Sequence, residues 1–418
     1  VNLRDDAQAL SDDLINLRRT LHRIPETGLE LPRTQETVLA ALDGLPLEVR
    51  TGDGLSSVTA VLRGGRPGPT VLLRGDMDAL PVAERTGLDF AADNGRMHAC
   101  GHDLHTAMLT GAARLLSAHR DRLAGDVLFM FQPGEEGYDG ARHMLAEGLL
   151  DASGQRPAAA YAIHVLSAGL PSGLFRTRGG TAMAASNTLR VTVRGEGGHG
   201  SMPHRAKDPV QAGCAMVTAL QAWITRTFDV FDPVILTVGT FHAGTKQNVI
   251  PDTAVFEATV RSFSDAAQAR VKDGTVEVCR GIAAAYGVDV DAEFVEMYPV
   301  TVNDHAEAEF AAGAIREALG EERYVPQAQP LQGSEDFSRV LAEVPGAMSS
   351  SAPRPAAPTR NAVPTTTPRS PSSTTPCWRT VPPSTPNSRR DALLRTDETR
   401  TRSADAAIRR SRTTRVYS

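Results

Sequence analysis

Met97-His98-Ala99-Cys100-Gly101-His102-Asp103-Leu104-His105-Thr106 places a thiol, three imidazoles and a carboxylate within ten residues. The run stands between a loop and an apolar helical segment. Cys100 and His102 are two apart, so in an extended segment their side chains point the same way. Thiolate and imidazole are the ligands that a borderline-soft divalent ion prefers. An isolated Cys-x-His is as often a buried thiol beside surface histidines. The other residues of ligand type decide between the two.

Those residues stand at strand ends. Glu135-Glu136 follows the short apolar run Asp126–Phe131. Two adjacent carboxylates suggest two roles, one binding metal and one acting as base. A water acidified by a cation needs a carboxylate to take its proton and pass it to a leaving amine. Neighbouring side chains in an extended segment diverge, so Glu136 is expected to face the metal and Glu135 the substrate. Alone, such a pair is more often a solvated turn. His164 closes a second apolar run, Ala158–Ile163, and Asp76 and Asp78 stand where Thr70–Arg74 gives way to a loop. Further on, the glycines of Gly195–His204 permit close backbone approach. An imidazole there, His199, suits stabilisation of negative charge on a carbonyl oxygen, although such a loop is commonly a plain hairpin turn. Asn248 and Arg261 taken singly read as a loop residue and an exposed strand residue.

The elements that must position these groups follow from periodicity. Residues 5–23 carry Leu10, Leu14, Leu17 and Leu21 at helical spacing, and 34–43, 105–119 and 140–149 also read as helices. Strands are expected at 56–63, 70–74, 126–131 and 158–163. Strand–helix alternation with fully apolar strands implies an α/β layer with a mostly parallel sheet. In such sheets ligands bind beyond the carboxyl ends of strands, where Asp78, Glu135, Glu136 and His164 fall. From about Asn187 the pattern becomes βαββαβ: strands at 188–194, 233–241, 253–263 and 288–294, helices at 208–228 and 266–286. That is an α+β sandwich inserted into the first domain. The expected division is 1–186 and 300–348 for the catalytic domain, 187–299 for the insert and 349–418 for a tail.

With 418 residues, two domains are the prior. A net charge of −5 argues against nucleic acid as the main partner. No apolar run has the length of a membrane span. The polar start, Val1–Asp6, does not read as a secretory signal. Cys100, Cys214, Cys279 and Cys377 form no CxxC pair, which suggests reduced thiols and a cytoplasmic location.

Taken together, the chain resembles the dinuclear-metal amidohydrolases and peptidases related to aminoacylase and carboxypeptidase G. Within them it is similar to hippurate hydrolases, N-acyl-amino-acid amidohydrolases and auxin-conjugate hydrolases. The segments that carry the resemblance are Arg74–Pro81 (RGDMDALP), Met97–Asp103 (MHACGHD), Phe131–Gly137 (FQPGEEG), Gly197–His204 (GGHGSMPH), Asn248–Pro251 (NVIP) and Gly333–Phe337 (GSEDF). The resemblance implies an α/β catalytic domain carrying a ferredoxin-like lid and dimerisation domain. It implies Cys100, His102, Glu136 and His164 as metal ligands, Glu135 as general base and Asp78 supporting the metal site from behind its ligands. His199 would reach an active site, in relatives often the partner subunit's, and Asn248 and Arg261 would meet polar groups of the substrate. The implied cofactors are two divalent ions, Mn²⁺ or Zn²⁺, with Co²⁺ or Ni²⁺ also suited to the ligands. The implied reaction is water attack on the amide carbonyl of an N-acyl amino acid, in a homodimer.

One departure stands out. Relatives carry a further metal-binding histidine near the C-terminus in an Asn-His-Ser-Pro-type segment, yet no histidine follows His305 here. The last seventy residues are about two-thirds Ser, Thr, Pro and Arg, a composition expected to be disordered. Back-translating Pro364–Asp391 one base earlier, with GC-biased choices, gives His-Asn-His-Ser-Pro and then an amphipathic helix before a stop. The tail is therefore expected to be the family's C-terminus read in a shifted frame, with the lost histidine spanning the codons of Thr366 and Thr367. The alternative to an active hydrolase is a catalytically impaired binding or scaffold homologue. A nucleic-acid reading of the basic tail is weaker, since it has arginine but no lysine and no basic helical face.

Overall fold

The computed structural model describes residues 3–353. The expected disordered tail and the shifted-frame segment lie outside the described residues from 354 onward.

The first amphipathic segment divides into α1 (Leu3–Ala9) and α2 (Ser11–His22). The break is at Leu10, whose N–H bonds only three residues back, to Ala7. After α3 (Pro32–Leu42) come β1 (Leu47–Thr51), β2 (Val58–Leu62), β3 (Val71–Asp76), α4 (His102–Ala118), β4 (Val127–Gln132), α5 (Gly140–Ala146) and β5 (Ala159–Val165). Short strands β6 (Phe175–Arg176) and β7 (Gly180–Met183) lead to β8 (Ser186–Arg194) and β9 (Gly198–His199). Then follow α6 (Pro209–Thr227), β10 (Ile235–Ala243), β11 (Val249–Ile250), β12 (Thr253–Arg261), α7 (Asp265–Tyr286) and β13 (Asp289–Tyr298). The chain continues through β14 (Thr301–Asn303), α8 (His305–Leu319), α9 (Ser338–Leu341) and β15 (Gly346–Ser351).

The main sheet has the order β1-β2-β4-β3-β5-β15-β6. Its centre, β4-β3-β5-β15, is parallel, and the outer pairs are antiparallel. The apolar run at β4 is buried at every position, as a strand covered on both faces must be. One face packs α3 and α4, the latter through Leu109, over Phe129 and Phe131, and the other packs α5 and α9 over Leu128, Met130 and Ala162. The second sheet, β10-β12-β8-β13, is antiparallel throughout and carries α6 and α7 on one side. This is the expected βαββαβ order in ferredoxin-like arrangement.

Several strand ends differ from the sequence reading. β3 runs on through Asp76 and β5 through His164 to Val165, because β4 and β15 keep pairing alongside them. Another difference is β15. The serine-rich segment after Met348 is not the start of a tail: Ser349, Ser350 and Ser351 are buried ladder residues between β5 and β6. Serine has weak strand propensity, and here the small side chain suits a crowded central strand. No described helix is long and apolar enough to cross a membrane.

Candidate active site

The parallel strands β3, β4 and β5 lie side by side, so their carboxyl ends deliver Asp76, Glu135-Glu136 and His164 to one place. The loop before α4 brings Cys100, and His102 opens that helix. Gly101 between them has φ +90°, and a Cβ there would meet Val165 Cγ2 at 2.5 Å. Only glycine lets this turn approach β5 so closely.

Cys100, His102 and His164 present ligand atoms within 4.8 Å of one another, as do His102, Glu135 and Glu136. Cys100 Sγ lies 3.4 Å from His164 Nε2. His164 donates Nδ1–H to the Val165 carbonyl at 2.6 Å, which leaves its Nε2 lone pair facing the thiol. Burial and the neighbouring His105 push His164 down to about 3, so the ring is neutral. His102 is fully buried, and neither of its ring nitrogens meets a partner in hydrogen-bonding geometry. Its Nε2 lies 4.0 Å from both Glu135 Oε2 and Glu136 Oε1. Its nearest carboxylate oxygens, Asp78 Oδ1 at 3.3 Å from Nδ1 and Asp76 Oδ2 at 3.4 Å from Nε2, make charge contacts without hydrogen-bond geometry, and a cation between these donors would complete the cluster. Thiol, imidazole and carboxylate are the donor set of a borderline-soft divalent ion, so the residues fit such a group.

Asp78 joins the carboxylate pair to the imidazole. Its oxygens accept the main-chain N–H groups of Glu135 at 3.0 Å and Glu136 at 2.9 Å, and Oδ1 lies 3.3 Å from His102 Nδ1. The Tyr298 hydroxyl, at the end of β13, donates to the Glu135 carbonyl at 2.5 Å and accepts from Gly137 N–H at 2.7 Å. The Glu-Glu turn is thus held through its backbone and not through its carboxyl groups, which face His102. Burial first, then Glu335 and Asp336, holds the Glu135 carboxyl well above the usual carboxylate range.

The other singled-out residues lie elsewhere. His199 is exposed on the β9–β11 ribbon, its Nδ1 accepting from Ser201 Oγ at 2.8 Å. Asn248 precedes the paired strand and is exposed, its carbonyl accepting from Gly200 N–H. Arg261, at the end of β12, donates to Ser334 Oγ at 2.8 Å.

Sequence reasoning gave no role to the residues beneath the site. His105 uses both nitrogens, Nδ1–H donating to Asp76 at 2.5 Å and Nε2 accepting from Val165 N–H at 2.8 Å. It is a brace and has no lone pair left for a cation. Arg74, fully buried, pairs with Asp76 at 2.7 Å, Glu335 at 2.6 Å and Asp336 at 3.1 Å, and donates to Gln132. Arg74, Asp76, Glu335 and Asp336 all stood in the quoted segments. The available signal was a charged residue inside an otherwise apolar strand. Tyr298 carried no signal.

Comparison with known proteins agrees with this geometry. The model of Peptidase family M20/M25/M40 matches residues 72–361. "Thermostable carboxypeptidase 1" of Saccharolobus solfataricus is 38% identical over 349 residues, 82% of this chain and 86% of its own length. "IAA-amino acid hydrolase ILR1-like 2" of Arabidopsis thaliana is 35% identical over 340 residues, 80% of this chain and 75% of its own. A crystal structure from Bacillus subtilis, titled a dinuclear metal binding peptidase from the M20 family, superposes with a TM-score of 0.70 at 32% identity, covering 82% and 89% of the two chains. Family match, relatives and fold agree: this chain belongs to the M20/M25/M40 peptidase family.

Proposed function

We propose that the protein hydrolyses the amide bond of N-acyl amino acids, with Glu135 as general base. The observation that carries this reading is the buried Glu135 carboxyl beside His102 and Glu136, with His102 also grouped with Cys100 and His164. The relatives named carboxypeptidase and IAA-amino acid hydrolase support the substrate class.

Cys100, His102, Glu136 and His164 would hold the metal, with Asp78 fixing His102 and the Glu135-Glu136 backbone from behind. When bound, divalent ions would polarise the water and the scissile carbonyl. Glu135 takes the proton of the attacking water and returns it to the amide nitrogen as the C–N bond breaks, releasing an acyl acid and a free amino acid. Its raised carboxyl suits that task, because a base works best when its pKa approaches the working pH. The segment 187–299 is read as a lid and dimerisation domain that brings His199, Asn248 and Arg261 towards the substrate.

Metal uptake should release protons. Without a cation, burial pushes the Cys100 thiol up to about 11. Burial disfavours a charged His102, but Asp76 outweighs it and holds the imidazole well above its usual range. Both groups therefore carry a proton near neutral pH that a cation must displace. Titration of Zn²⁺ or Mn²⁺ in buffers of different ionisation enthalpy should show release of about two protons and an affinity that strengthens as pH rises. Uptake without proton release would remove Cys100 and His102 from the ligand set.

The function is tested with N-acetyl, N-benzoyl and indole-acetyl amino acids, with metal analysis, on the encoded chain and on a frame-restored version. Turnover that depends on metal and on Glu135 supports the reading. Metal binding without turnover in either version would favour the scaffold alternative.

A further inference from the structure

The segment 187–299 joins the rest of the chain at two crossings, Ala184–Ala185 going out and Pro299–Val300 coming back. The outward crossing is held by its backbone. Ala184 N–H donates to the Leu331 and Gly333 carbonyls, and Ala185 N–H to the Ser262 carbonyl. The return crossing is held by side chains, and they reach the turn that carries Glu135 and Glu136.

Tyr298, the last residue of β13, is 5% exposed. Its hydroxyl meets three main-chain groups of that turn. It donates to the Glu135 carbonyl and accepts from Gly137 N–H at 2.7 Å and from Asp139 N–H at 3.4 Å. A hydroxyl offers one donor and two acceptor sites, so this is its full complement. Burial first, then Asp336 and Glu135, pushes the phenol well above its usual range, so it stays protonated and keeps donating.

A second tie runs beside the first. The register of β13 against β8 slips between Glu296 and Tyr298, which makes Met297 the extra residue of a bulge. The Met297 carbonyl accepts from Arg339 Nη2 at 2.7 Å. The same guanidinium donates to both Asp139 carboxylate oxygens, at 3.2 and 3.0 Å. Among the described residues Asp139 is the one non-glycine with a left-handed backbone, at φ +56°. Such a conformation persists where its surroundings fix it. Here Tyr298 fixes it through its N–H and Arg339 through its carboxylate. β13 and the Glu135–Asp139 turn therefore share two buried or half-buried links, both made at the point where the 187–299 segment rejoins the body.

We propose that Tyr298 and Arg339 are positioning residues that join the return crossing of the 187–299 segment to the Glu135–Asp139 turn, so that the orientation of the segment and the aim of Glu135 and Glu136 change together. The proposal rests on the reading of Glu135 as base and Glu136 as ligand. A displacement of β13 pulls on the Glu135 peptide, whose rotation re-aims the side chains on either side of it. Linkage is reciprocal, so a cation that fixes Glu136 must in turn steady β13.

The first test needs no turnover. Amide hydrogen exchange is followed on the full encoded chain with and without Zn²⁺. In the parent, Zn²⁺ should slow exchange several-fold both at the start of α4, where His102 stands, and along the end of β13. In Tyr298→Phe and in Arg339→Met the α4 response should remain and the β13 response should be lost. No response in β13 of the parent overturns the proposal, as does a β13 response that survives both substitutions. Loss of the α4 response along with that of β13 makes the residues merely structural and also overturns it. Should Tyr298→Phe fail to fold, Arg339→Met decides by the same criteria. Where turnover is measurable, Tyr298→Phe should lower kcat about 10–10²-fold with KM nearly unchanged, as a misplaced group does. It should have no further effect once Glu135 is Gln. An equal loss in both backgrounds shows action other than through Glu135 and overturns the proposal. A Glu135→Gln protein with undiminished kcat sinks the reading of the base instead, and the exchange experiment then decides the tie through Glu136.

Discussion

Glu135→Gln is expected to lower kcat for N-acyl amino acid hydrolysis about 10²–10⁴-fold, the range for loss of a general base, with KM and bound metal close to those of the parent. The substitution is conservative for structure because Glu135 is held by its backbone. Its N–H bonds to Asp78 and its carbonyl to Tyr298, and neither contact uses the carboxyl group. The pH profile should carry the same signature. Burial, with Glu335 and Asp336 next, raises the Glu135 carboxyl, so the base becomes available only as pH rises through that elevated value. The acid limb of kcat/KM should therefore lie above the ordinary carboxylate range. Glu335→Gln removes one repelling charge and should move the limb to lower pH. The measurement belongs in whichever background, encoded or frame-restored, turns over faster. A Glu135→Gln enzyme retaining more than a tenth of the parental rate would exclude Glu135 as the base.

The surface of the site was legible because its residues are local in sequence and the topology is regular. Cys100 and His102 sit two apart, Glu135 and Glu136 are adjacent, and His164 ends an apolar run. A parallel sheet places the ends of β3, β4 and β5 together. The foundation was less legible. Arg74 reads as a charged interruption of a strand, and its partners Glu335 and Asp336 lie about 260 positions away. Burying a charge is explained only by its partners, and long-range pairing is what periodicity does not encode. The same holds for Ser349–Ser351, whose strand character comes from β5 and β6 on either side. The exposure of Ile163 among the described residues was invisible from sequence too, since it reads as an ordinary apolar position of a buried strand.

That foundation carries the second large effect. Arg74→Met should destabilise the protein by about 3–5 kcal/mol, the cost of removing one partner from a buried ionic cluster. One guanidinium serves three carboxylates, Asp76, Glu335 and Asp336, each no more than 1% exposed. Asp76 is held well below the usual range because Arg74, His102 and His105 outweigh the burial that opposes its charge. Asp336 is already held well above it by burial, despite Arg74. Without the guanidinium the cluster is uncompensated, and Asp76 and Asp336 would titrate higher when folded than when unfolded. Such groups favour the folded state only when protonated, so the penalty should shrink as pH falls towards the carboxylate range and be full at neutral pH. Arg74→Lys should recover only part of the loss, because a point charge does not span three acceptors as a planar fork does. Combining Arg74→Met with Glu335→Gln and Asp336→Asn should recover more than Arg74→Met alone, since the repulsion is removed together with the cation. Denaturant unfolding at two pH values measures all four proteins. A penalty for Arg74→Met that is small, or that grows as pH falls, would show that the cluster is not what holds β3, β4 and the Gly333–Phe337 segment together beneath the site.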